Sequence, residues 1–155
     1  MKRNFSPGQT LMEVVIAMAL IVVASIALVS TSIFTQKTSR SANAQTQATK
    51  LAEESIEQIR VVRDRRGYGF LSTGACKVVN STSADPNNWF VADCVLPGEQ
   101  IPLVNNITFN RRIDISEITA GVKKKATVYV TWQESGGTNI VESTTFLSSC
   151  VGVSC

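Results

Sequence analysis

The residues able to do chemistry are few and unevenly placed. The chain of 155 residues has no histidine, which removes the commonest general base and the commonest zinc ligand. Its four cysteines, Cys76, Cys94, Cys150 and Cys155, all lie well beyond the apolar N-terminal stretch. None forms a Cys-x-x-Cys pair, and no histidine is present to complete a metal site. An even number of cysteines outside an apolar segment points to disulfides and an oxidising compartment. Four cysteines allow three connectivities; proximity favours Cys76–Cys94 with Cys150–Cys155, although strands can bring distant residues together. Asp85, Asp93 and Glu99 follow no calcium-loop spacing, and there is no nucleophile elbow, phosphate loop or dinucleotide fingerprint. The expectation is a protein that is not an enzyme and carries no metal and no cofactor.

Charge adds little. Of the net +3, Lys2 and Arg3 supply two units, so removal of a leader containing both leaves 3 − 2 = +1, too small a surplus to call for a polyanion partner. Lys123-Lys124-Lys125 and Arg111-Arg112 are short basic runs for which a solvated turn is the expectation and contact with DNA or an acidic subunit the functional alternative. Asn80-Ser81-Thr82 and Asn106-Ile107-Thr108 fit the glycosylation sequon. Trp89, Trp132, Tyr68 and Tyr129 read as core or interface residues.

One carboxylate stands in unusual surroundings. From Leu11 to Val29 only Glu13 and Ser25 are polar, and 19 such residues are enough to cross a bilayer as a helix. Eleven of them are Leu, Ile or Val, contributing together about −3 to −7 kcal/mol to insertion. A charge at mid-membrane costs about 2.5–3.5 kcal/mol, and less near the end of the run, so insertion wins. A secretory signal cleaved at Ala42-Asn43-Ala44 fits less well, because that site lies some 15 residues past the apolar run. A plain signal anchor would leave Glu13 without a role.

The string Ser6-Pro7-Gly8-Gln9-Thr10-Leu11-Met12-Glu13-Val14-Val15-Ile16-Ala17 closely resembles the class III signal of type IV prepilins and type II secretion pseudopilins. The resemblance implies a leader, 1–8, cut after Gly8 by prepilin peptidase, and N-methylation of the new N-terminal residue, Gln9, which stands where the family usually has Phe. It implies that Glu13 pairs with the N-terminal amine of a neighbouring subunit during assembly. The implied partners are other pilin subunits, the peptidase, an inner-membrane assembly platform and, before assembly, the lipid bilayer. The implied location is a single-pass inner membrane protein with its C-terminal domain outside the cytoplasm, then a pilus or pseudopilus. Physical reasoning runs the same way: a carboxylate in an apolar helix needs a partner, and cleavage after Gly8 would create an amine at the same depth.

The elements that must carry these residues follow. No Gly or Pro occurs from Gln9 to Arg66, which predicts one helix with a transmembrane or assembly half, 9–34, and an outer half, 35–66. Ala48, Leu51, Ala52, Ile56, Ile59 and Val62 form an apolar stripe at helical spacing, with Glu53 and Glu57 on the wet side. Thr35–Gln47, rich in Ser, Thr, Gln and Asn, is the weakest stretch. Arg60, Arg63, Arg65 and Arg66 suit a helix C-terminus, and Gly67 and Gly69 end it. Many major pilins have a proline in the buried half of this helix; its absence leans towards a minor subunit. From 67 to 155 a β-rich globular domain is expected, with strands at Lys77–Val79, Trp89–Val95 and Asn106–Ile115, where Arg111-Arg112 interrupts the alternation. A hairpin of Ala126–Gln133 with Ile140–Phe146 turns at Gly136-Gly137. The fold class is α+β: a long N-terminal helix packed against a small antiparallel sheet. A membrane-anchored binding module for DNA uptake or adhesion is the alternative to a filament subunit.

Overall fold

Pro7 to Arg66 form a single α-helix, α1, in the computed structural model, which describes residues 7–104, 107–134 and 136–149. The polar stretch expected to be weakest is helical throughout. Its hydroxyls bond back onto their own helix instead of competing for the backbone elsewhere: Thr35 Oγ1 donates to the Thr31 carbonyl at 2.9 Å and Thr38 Oγ1 to that of Phe34 at 3.1 Å. α1 stops where Gly67 adopts φ +96°, a conformation that a side chain would resist, while its N–H still reaches the Arg63 carbonyl at 2.9 Å.

Contacts divide the chain into two units, Met1–Ala42 and Asn43–Cys155. In the first, α1 has no cover: every large hydrophobic residue from Leu11 to Phe34 exposes at least 52% of its surface. This part of the helix is long and apolar enough to cross a membrane.

In the second unit the helix meets a sheet of six antiparallel strands. They are β1 (Gly74–Asn80), β2 (Phe90–Asp93), β3 (Glu99–Val104), β4 (Ile107–Thr119), β5 (Lys123–Glu134) and β6 (Gly137–Ser148). The order is β2-β1-β4-β5-β6, with β3 alongside β4. The register sets Phe109, Ile113 and Ile115 of β4 opposite Trp132, Val128 and Ala126 of β5, all on one face because side chains alternate. That face covers Ala44, Ala48, Ala52, Ile56, Ile59 and Val62 of α1, which are buried with it in one core. The cover begins at Ala44; residues 35–43 are exposed. Three of the first buried helix positions are alanines, which let the sheet approach the helix backbone closely.

The expected hairpin is present and longer than predicted, running from Lys123 to Ser148 without a register shift. β3 was not expected, and it holds Pro102 within it. Two readings need correction. Arg111-Arg112 does not interrupt β4, whose pairing with β5 runs unbroken from Phe109 to Glu117. Lys123-Lys124-Lys125 is not a solvated turn but the start of β5, with Lys124 only 8% exposed.

The cover over the helix makes a contrast measurable. Ile59→Ala, at a fully buried position, should cost about 2–5 kcal/mol. Ile26→Ala, 63% exposed, should change stability by less than about 0.5 kcal/mol. Urea unfolding of the detergent-solubilised chain, followed by the fluorescence of buried Trp132, reads both; equal losses would contradict the division of the helix.

Candidate functional site

Glu13 lies on the uncovered part of α1, exposed, between Met12 and Val14, which expose 67% and 53%. Gly8 and Gln9 belong to the first turns of the same helix. At 1.5 Å per residue, four residues along a helix separate Gln9 from Glu13 by about 6 Å of axial rise. Two such helices side by side with a shift of about one turn would therefore bring Glu13 of one level with Gln9 of the other. Glu13 accompanies fifteen uncovered large hydrophobic residues, Leu11 to Phe34, and they make this segment the largest apolar surface on the described chain. Residues 1–6, most of the expected leader, lie outside the described residues.

In the globular unit, Cys76 and Cys94 form a disulfide with Cα atoms 5.1 Å apart. It joins the bulged start of β1 to the end of β2. Cys76 has φ +54°, a conformation that costs a non-glycine residue of order 1–2 kcal/mol. Two hydrogen bonds hold it: the Cys76 N–H donates to Asp114 Oδ1 at 3.0 Å, and its carbonyl accepts from the Cys94 N–H at 2.9 Å. The other expected pair, Cys150–Cys155, lies outside the described residues, as does Asn106 of the second sequon.

Three cations sit on the inner, helix-facing side of the sheet. Arg111 Nη2 donates to Glu99 Oε2 at 2.7 Å across the β3–β4 pair, and Lys77 pairs with Asp93 across β1–β2. Lys124 Nζ donates to the Leu71 carbonyl at 2.6 Å and lies 4.4 Å from the centre of the Tyr68 ring. Desolvation, and secondarily the Glu117 carboxylate, push the Tyr68 hydroxyl above its ordinary pKa. The alternation Lys124/Ala126/Val128/Val130/Trp132 was the available signal for Lys124, as Phe109/Arg111/Ile113/Ile115 was for Arg111: period two puts each cation on the core face. The arginines at the helix end surround a recess of about 400 Å³ and stand where cations complement the helix dipole. Arg63 pairs with Asp64, and Arg66 donates to the Trp89 carbonyl.

None of these groups assembles a nucleophile with a base, and among the described residues no cluster of three or more His, Cys, Asp or Glu side chains is placed to hold a metal. No family model, curated protein or solved structure matches the chain.

Two outcomes follow from this geometry. Lys124→Met frees the buried Leu71 carbonyl and should cost about 1.5–3 kcal/mol, whereas Lys125→Met on the outer face should stay within about 0.5 kcal/mol; thermal unfolding distinguishes them. Cys76→Ser, which opens a covalent loop with a sequence separation of 18, should cost about 3 kcal/mol relative to the oxidised chain, and reductant should no longer lower the melting temperature of the variant through this bond.

Proposed function

We propose that this chain is a structural subunit, of the minor type, of a type IV pilus or pilus-like filament, cut by prepilin peptidase after Gly8 and assembled through its N-terminal helix. The observation that carries the reading is the uncovered apolar helix with one carboxylate near its start. A surface of this size and apolarity is stable only when removed from water, and Glu13 is stable there only with a partner. Lipid covers the helix before assembly; parallel helices of neighbouring subunits cover it afterwards, each bringing a Gln9 amine to a neighbour's Glu13. The leader string from Ser6 to Ala17 supports the same reading, and the disulfide Cys76–Cys94 suits a globular unit outside the cytoplasm. The assembly platform and the motor that drives it are other proteins.

Processing and assembly are tested together. Intact mass or N-terminal sequencing of the mature protein should give a start at Gln9, with or without a methyl group. Glu13→Ala should be made, inserted and cut normally, since it removes a charge from an apolar helix. Its share of sheared filaments relative to membranes should fall at least about tenfold, the least expected from losing one partner of a pair in low dielectric. An intact Met1, a start at Gln45, or undiminished incorporation of Glu13→Ala would each defeat the proposal.

A further inference from the structure

The two edges of the sheet are finished differently. One is closed by β2, only 4 residues long, and by β3, which contains Pro102 and pairs with β4 through a register shift. Short strands, prolines and irregular pairing are the usual means by which an exposed edge is kept from pairing with another chain. The opposite edge is β6. It has 12 residues, no proline and a single charge, Glu142, and it pairs with β5 at every position without a bulge. Among the described residues no strand lies on its outer side.

The groups that this edge offers can be worked out from the hairpin. The closing pair, Glu134 and Gly137, is separated by two residues, so it must be a pair that exchanges both backbone bonds. Alternation along the ladder then turns the N–H and C=O groups of residues 139, 141, 143, 145 and 147 towards β5. Those of Thr138, Ile140, Glu142, Thr144, Phe146 and Ser148 point off the sheet. The same six residues carry their side chains on the face away from the helix, where Ile140 and Phe146 remain 57% and 56% exposed.

We propose that β6 is an interface with a second copy of this chain, strand against strand, antiparallel, about a two-fold axis at Ser143. The register carries the argument. The outward groups fall on even positions, so an antiparallel partner of the same sequence must match even with even. Two such registers overlap nearly the whole strand. The one centred on Glu142 sets that carboxylate opposite its own copy, which is destabilising. The one centred on Ser143 sets Glu142 opposite Thr144, Thr138 opposite Ser148, and Ile140 opposite Phe146. The two half-exposed apolar side chains of the strand thus meet each other, twice by symmetry, and up to about twelve backbone groups find partners. The contact is an instance of strand addition at a sheet edge.

Such an edge contact, about 37 Å long, is narrower than a stable interface of about 800 Å² per partner requires, so the dimer is concentration-dependent. Its axis stands normal to the sheet. The helical segments 43–66 of the two copies therefore run in opposite directions. The contact joins copies from facing membranes or oppositely directed filaments, never successive subunits of one polar filament, and it does not depend on the filament reading.

The test uses the full chain in detergent micelles. At the two-fold, facing Cα atoms of a non-hydrogen-bonded pair lie about 4.5 Å apart, within disulfide reach. Ser143→Cys should therefore give, on mild oxidation, at least about ten times more disulfide linking position 143 of two copies than Thr131→Cys gives at position 131, as read by peptide mapping. Adding Thr144→Glu, which sets a like charge opposite Glu142 of the second copy, or Thr144→Pro, which removes an outward N–H, spares the backbone bonds to β5 and should reduce the 143–143 link about tenfold with unchanged far-ultraviolet circular dichroism. Dimers that form only through the apolar helices will not show that link. Absence of the 143–143 link, equal linking at 131, or a link undiminished by both Thr144 substitutions overturns the proposal.

Discussion

Contact between the alanine-led stripe of α1 and the inner face of the sheet is the interaction on which the globular unit rests. The sheet has one apolar face, built from Phe109, Ile113, Ile115, Val128, Val130 and Trp132, all at most 3% exposed, and the helix packs on it. A sheet with one such face left open would not be stable in water. Ala44, Ala48 and Ala52 bring small side chains to one end of the stripe, and Ile56, Ile59 and Val62 bring larger ones to the other. A single helix thus meets two demands that differ along its length: from Ala44 onward it has an apolar stripe and a wet side, and from Leu11 to Val29 it is apolar around most of its circumference.

The perimeter of this core is charged, and the charges are part of it. Lys77, Arg111 and Lys124 each lay an aliphatic stem along the inner face and carry the cation to a partner at the rim. Their partners are not equally buried: the Arg111 side chain is 9% exposed and that of Glu99 is 41%. Water therefore still reaches the carboxylate, which lowers the desolvation cost of the pair. Lys124 has no carboxylate partner in its hydrogen bonds; it donates to the carbonyl of Leu71 in the turn that follows the helix.

Much of this fold was legible from residue order. The helix followed from the absence of Gly and Pro between Gln9 and Arg66, its buried face from a stripe at helical spacing, and the β5–β6 hairpin from alternation around Gly136-Gly137. The disulfide Cys76–Cys94 followed from proximity. What escaped was governed by pairing between distant segments. β3 is a strand because β4 offers it an edge, not because Pro102 favours one. Arg111 and Lys124 are buried because strand periodicity outweighs the preference of a long cation for water once a partner and a route for the stem exist. Of the candidate site, Glu13 stood out at once as a carboxylate among aliphatic residues. The open edge of β6 could not be read from the sequence, since a strand becomes an edge only when the order of the sheet is known.

The position of the disulfide has a mechanical consequence. Tension pulling on α1 enters the globular unit through residues 67–71, where Lys124 holds the carbonyl of Leu71. It then arrives at Cys76, the third residue of β1. There the covalent bond to Cys94 carries the load directly across, so the intervening residues 77–93, including most of β1 and all of β2, stay slack. At about 3.4 Å per residue the bond withholds roughly 60 Å of chain that a reduced protein would pay out under shear. A chain so built yields late and over a short distance.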